Sequence, residues 1–582
     1  MTTAQQSLRH PSVRAGDPWW KGAVVYQVYP RSFADADGDG IGDLRGIIEH
    51  VDHLARLGVD VVWLSPVYAS PQDDNGYDIS DYYAVHPAFG TLDDLDDLIA
   101  ALHARGIRLI MDLVVNHTSD EHAWFQESRS SRENPRRDWY IWRDPREGRE
   151  PNNWGSFFSG PAWDLDEATG QYYLHLFSPK QPDLNWENPE VRAEIHRMMN
   201  WWLDRGVDGF RMDVISFISK PDGLPDGPAS GEGFGDGMSL YGSGPRIHEY
   251  LQEMHREVFA GRGEQVLTVG EMVDVTPERA RLYTDPARHE LDMVFHFDHV
   301  ALDHGPAGKF SAGRHDLVAL KSVFARWQTE LADIGWNSLY WNNHDQPRVV
   351  SRFGDDSGHW RASATALAAV LHLMRGTPYI YQGEEIGMTN MPFSRVEELR
   401  DIESLNHFHE ATRGNGTQGS GTQGSGAQDA DEVLAGILRT GRDNARTPVQ
   451  WDGSPGAGFT TGEPWIAVNP NHRWLNAASQ YDDPDSVFSW YRRLIELRHT
   501  SPVVVDGRFD HLVPDDPQLF AYTRTLDDHQ LLVAANLSGR PAAVPKGLQG
   551  PWSDARRVLG NRHDEGALPV ALDPWEVVVL AR

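Results

Sequence analysis

Three acidic residues each stand at the end of a short apolar run. Asp213 closes GFRMD, Glu271 closes VLTVGE, and Asp345 follows SLYWNNH. Asp112, Asn116 and His117 come from DLVVNH, Arg211 lies two residues before Asp213, and His344 precedes Asp345. A lone Asp at a strand end is commonly a helix cap or a loop ion pair. Three carboxylates at corresponding positions are different, because gathered acids raise one another's pKa and cost stability. A carboxyl pair about 5 Å apart suits glycosidic cleavage with retention. One attacks the anomeric carbon; the other protonates the leaving oxygen and then deprotonates water.

Such residues need strands to carry them to one place. Eight apolar, β-branched runs qualify: 24–29, 59–64, 108–115, 207–212, 265–270, 292–297, 337–341 and 377–381. Spacers of about 30 or more residues leave room for crossover helices. One such helix starts at Thr91 as cap, carries Leu92, Leu95, Leu98, Ile99 and Leu102 on one face, and is closed by Gly106. The expected fold is α/β, a (β/α)8 TIM barrel with its active site at the C-terminal strand ends. Roughly 90 residues separate the third and fourth strands, too many for a βα loop. The spacing therefore predicts a tail over 1–17, a barrel over 18–115 and 187–504, and an inserted subdomain over 116–186. Alternating runs such as LFAYTRT and HQLLVAANL predict a C-terminal antiparallel β domain over 505–582. The stretch 414–428 repeats TQGSG and reads as a flexible loop tip.

Composition narrows the function. The chain has 582 residues, 21 Trp, no Cys and a formal charge of −32. Thiolate chemistry and disulfides are excluded, and so large a negative charge argues against nucleic-acid or anionic-membrane partners. The opening MTTAQQSLRHPSVRAGDPWW lacks a signal-peptide core, and no run of about 18 apolar residues occurs. A cytoplasmic protein, monomeric or weakly self-associating, with a small oligosaccharide as partner, is the expectation.

The motifs QVYPRSF, NGYDISDYY, DLVVNH, QPDLNWENP, DGFRMDVI, VGEM, NNHDQPRVVSRFG, GTPYIYQGEEIGMTN and RDNARTPVQWD occur in that order. Together they resemble the signature regions of the α-amylase superfamily, glycoside hydrolase family 13, over roughly residues 18–580. The likeness is strongest to bacterial oligo-1,6-glucosidases and dextran glucosidases. It implies an exo-acting retaining α-glucosidase, with Asp213 as nucleophile, Glu271 as acid/base and Asp345 as transition-state stabiliser. Arg211 would hold Asp213 ionised, and the neighbours of Glu271 would keep it protonated. The resemblance also implies that His117, Gln181 and His344 bind the terminal glucose and that Tyr77 stacks on it. By the same likeness Asp78 pairs with Arg442 behind that glucose, closing the pocket. Lys309 and Glu403 would contact the aglycone sugar. Val214, after the nucleophile, accompanies α-1,6 cleavage in this family, whereas Thr or Ala accompanies α-1,4 preference. An α-1,4-glucosidase, a transglucosylase and a non-catalytic amylase-like subunit are the alternatives. Sucrose isomerases carry an Arg-rich segment after the sixth strand; the corresponding FDHVALDHGP has none.

A further motif, DADGDGIGD, places Asp35, Asp37, Asp39 and Asp43 as in the start of an EF-hand loop. The twelfth-position Glu is replaced by Gly46. With the Ile41 carbonyl, these oxygens could wrap Ca2+, and the resemblance makes that site structural. The other reading is a solvated acidic turn.

Overall fold

Short strands of buried aliphatic and aromatic residues form the centre of the computed structural model, which describes residues 10–228, 234–305, 308–313, 315–413, 428–562 and 566–582. The strands are β1 (Val25–Val28), β2 (Val61–Leu64), β3 (Arg108–Val114), β4 (Gly209–Asp213), β5 (Leu267–Glu271), β6 (Met293–Phe295), β7 (Ser338–Leu339) and β8 (Thr377–Tyr381). They pair in parallel in the order β6-β5-β4-β3-β2-β1-β8-β7. A bridge between Val294 and Asn337 joins the two ends. The result is the expected barrel. Its strands are mostly apolar and buried almost throughout because a parallel sheet is covered on both faces.

All eight strands fall where the apolar runs place them, but β7 is shorter than 337–341. Beyond Leu339 the Tyr340 carbonyl accepts a hydrogen bond from the His299 ring at 2.8 Å, not from a neighbouring strand. Helix α1 (Leu92–His103) begins as expected. Thr91 and Asp94 exchange side-chain-to-backbone bonds in a capping box, and Leu95, Leu98, Ile99 and Leu102 are buried. The helix stops at His103, and Gly106 follows in left-handed backbone at φ 74°. The 414–428 loop lies outside the described residues except for Gln428.

Between β3 and β4 a three-stranded antiparallel sheet (Trp142–Arg143, Trp163–Asp166, Gln171–Leu174) rises over the barrel. Its core of Ile141, Trp154, Trp163, Leu174 and Leu176 is continuous with Val214 and Phe217, the segment that follows β4. At the other end of the chain, β9 (Arg508–His511), β10 (Leu519–Leu526), β11 (His529–Asn536), β12 (Arg556–Gly560) and β13 (Val577–Ala581) form an antiparallel sheet in the order β9-β10-β11-β13-β12. Alternation along β10 divides its side chains. Phe520 and Tyr522 join the large core shared with the barrel, whereas Leu519 and Ala521 join a separate small one. Lys321 on helix α2 (Leu317–Glu330) ties the two parts. Its buried ammonium donates to the carbonyls of Val513, Asp516 and Leu519 at 2.7, 2.6 and 2.9 Å. Among the described residues no helix is long and apolar enough to cross a membrane.

Candidate active site

The C-terminal ends of β3, β4 and β5 bring three acids to one cation. The Arg211 guanidinium contacts Asp112 Oδ1 at 2.7 Å, Asp213 Oδ1 at 2.6 Å and Glu271 Oε1 at 2.5 Å. All four side chains are buried. Burial pushes the Asp213 carboxyl well above the usual range; Arg211 opposes this, and Glu271 and Asp112 reinforce it. Burial also raises Glu271, again against Arg211. The expected raised Glu271 is therefore present. The expectation that Arg211 keeps Asp213 ionised is corrected: burial outweighs Arg211, whose one positive charge is divided among three acids.

Asp345 has the opposite environment. Burial would raise its carboxyl, but His344, Arg442, Arg446 and Lys309 together hold it far below the ordinary range. Arg446 reaches Asp345 Oδ1 at 2.9 Å and Arg442 reaches it at 3.3 Å. Arg442 also contacts Asp401 at 2.7 Å and Asp74 at 3.1 Å. The expected Arg442 partner, Asp78, is corrected to Asp74. Asp78 faces its own loop instead, accepting hydrogen bonds from the Ser70 hydroxyl and the Asp73 and Asp74 amides at 2.9, 2.8 and 3.1 Å. Lys309 and Glu403 meet at 2.6 Å, and Glu403 lies 3.5 Å from Arg442, which joins this pair to the same cluster.

The neutral polar wall is equally buried. Tyr77 stacks on His344, with ring centroids 5.1 Å apart and planes 5° from parallel. The Tyr77 hydroxyl donates to Asp112 Oδ2 at 3.0 Å. His117 lies against Phe177 at 5.2 Å, and its Nε2 is 3.1 Å from the Tyr77 carbonyl. Gln181 Nε2 sits within hydrogen-bond reach of His117 and Asp74 at 3.3 Å each. Burial lowers His117 to about 4 and His344 to about 3, so both rings are neutral at pH 7. Phe158, whose ring centroid lies 5.0 Å from the Arg442 guanidinium, and Asp74, Asp401 and Phe177 carried no signal that singled them out in the sequence. Arg446, in the quoted RDNAR, carried one: it lies four residues after Arg442 and hence on the same face of a helical turn.

The chain as a whole has known relatives. Residues 27–507 match the family description "Alpha amylase, catalytic domain". The chain belongs to the α-amylase family. Among its relatives is an oligo-1,6-glucosidase of Parageobacillus thermoglucosidasius, 58% identical over 565 residues, which cover 96% of this chain and 98% of that protein. In structure it is similar to a trehalose-6-phosphate hydrolase of Bacillus licheniformis, with a TM-score of 0.90 at 45% identity over 97% of this chain and 100% of that one. An isomaltulose synthase from Klebsiella sp. LX3 gives a TM-score of 0.91 at 41% identity over 98% and 100%.

This α-amylase-family chain also carries the acidic loop noted above. Carboxylate oxygens of Asp35, Asp37 and Asp43 lie within 4.8 Å of one another. Burial raises Asp43, and Asp35 and Asp37 add to that rise. Such oxygens fit a hard cation, which would remove their repulsion. Asp39 stands outside this group of three; its carboxylate accepts from the Ile41 amide at 2.8 Å.

Proposed function

We propose that the protein is an exo-acting retaining α-glucosidase that releases glucose from the non-reducing end of α-1,6-linked gluco-oligosaccharides. The observation that carries this reading is the pair Asp213 and Glu271 held on one guanidinium, with Asp345 at the same mouth. Asp213 attacks the anomeric carbon of the terminal glucose. The C1–O bond to the aglycone breaks as Glu271 gives its proton to the departing oxygen. Water, deprotonated by Glu271, then attacks C1 of the glucosyl-enzyme, freeing glucose and the Asp213 carboxylate. Asp345, His117, Gln181 and His344 bind hydroxyls of that glucose, and Tyr77 supports its apolar face. Arg442, neutralised by Asp74 and Asp401, closes the pocket behind one sugar and so enforces exo-action. Lys309 and Glu403 face the aglycone. Val214 and the oligo-1,6-glucosidase relative support the α-1,6 linkage. Asp35, Asp37 and Asp43, with the Ile41 carbonyl, would hold a structural Ca2+ that takes no part in the chemistry.

Initial rates on isomaltose, maltose, sucrose and trehalose 6-phosphate, measured side by side with products identified, test the reading. Isomaltose is expected to be preferred, with free glucose as product. Preference for maltose or trehalose 6-phosphate would overturn the linkage, and accumulation of isomeric disaccharides would overturn hydrolysis.

A further inference from the structure

Val214 directly follows Asp213 and adopts left-handed backbone, φ 34° and ψ 39°. A β-branched residue avoids that region, so the surroundings must hold it there. They do so from several sides. The Val214 side chain is buried with Trp154, Trp163, Phe217 and Tyr241. The Phe217 amide donates back to the Val214 carbonyl at 2.9 Å, and the Ser243 amide donates to the Ser216 carbonyl at 2.9 Å. Ile215 packs over Gly270, where an added Cβ would come within 3.2 Å of its Cγ2.

The consequence falls on Glu271. The register between β4 and β5 ends at Met212 and Gly270. Past that point the Val214 amide leaves the ladder and donates to Glu271 Oε2 at 3.1 Å. Arg211 holds the other oxygen, Oε1, at 2.5 Å. We infer that the Val214 main-chain amide is a positioning donor that aims the Glu271 carboxyl and favours its anion. This rests on Glu271 being the acid/base of the proposed mechanism. The other charged or titratable groups facing Glu271 are Asp112, Asp213, Asp345 and Tyr340. A donor to the anion lowers the acid's pKa, so this amide opposes the rise that burial causes.

The test removes the N–H alone, by replacing Val214 with its α-hydroxy analogue so that the 213–214 amide becomes an ester. The alkaline limb of kcat/KM, which reports the acid in the free enzyme, is expected to move up by roughly half a pH unit. kcat on isomaltose is expected to fall roughly tenfold, and the release of a nitrophenol from an aryl glucoside, which needs little proton donation, to change much less. Val214→Gly keeps the amide and takes left-handed backbone freely, so it retains the wild-type alkaline limb whatever linkage it prefers. An unshifted limb in the ester protein, or the same shift in Val214→Gly, overturns the inference. Wild-type hydrolysis of isomaltose by Glu271→Gln would instead bring down the mechanism on which it rests.

Discussion

Asp112, Asp213 and Glu271 compete for the single guanidinium of Arg211, so protonation here belongs to the group and not to one acid. In the proposed cycle the nucleophile must be ionised and the acid protonated. Burial raises both. Activity should therefore rise along an acid limb and fall along an alkaline limb that both lie above the ordinary carboxylate range and belong to the coupled Asp213–Glu271 pair. Glu271→Gln should lower the isomaltose rate by about 10²-fold or more and abolish the alkaline limb. Azide should rescue it on an aryl α-glucoside as α-glucosyl azide, the product of two inversions; no rescue would count against a covalent intermediate. Asp74→Asn, which removes one of the carboxylates that hold Arg442, should raise KM for isomaltose severalfold, roughly up to tenfold, with Asp78→Asn acting mainly on stability. The reverse pattern would restore the Asp78 pairing. The three carboxylates were legible because each ends an apolar run. The Arg442 partner was not, because DNGYD offers two acids four residues apart and only the loop's own hydrogen bonds decide which turns inward.

At the scale of elements, the barrel was readable for the reason that parallel strands are: buried on both faces, they are short continuous apolar runs. Strand β7 was the weakest, because side-chain bonding at Tyr340 takes over from the ladder. The capping box at Thr91 was half visible; its cap was read, its Asp94 partner was not. Docking of the C-terminal sheet through Phe520 and Tyr522 follows the alternation of their strand, but the polar tie left no periodic signal, because it is a single lysine. Lys321 satisfies three carbonyls of the C-terminal part. Lys321→Met should reduce stability by roughly 2 kcal/mol, seen as a lower urea midpoint for the transition that includes the C-terminal sheet. An unchanged midpoint would show that apolar contacts alone hold the sheet.

For the molecule as a whole, a formal charge of −32 is a self-repulsive load. The acidic loop at 35–43 concentrates part of it. If Asp35, Asp37 and Asp43 bind Ca2+, saturating calcium should stabilise the fold by about 2.7 kcal/mol at a hundredfold excess over Kd, and a chelator should reverse the gain. Asp37→Ala should remove the response with activity retained at low temperature; equal stabilisation of wild type and variant would indicate general screening instead. The central claim concerns the fate of the anomeric carbon. Proton NMR of aryl α-glucoside hydrolysis, in which the transferred sugar is the only glucose released, followed from the first turnovers, tests it most directly. Newly released glucose is expected to appear as the α-anomer and only then to mutarotate. Glucose appearing first as the β-anomer would mean direct attack by water and would contradict the role given to Asp213.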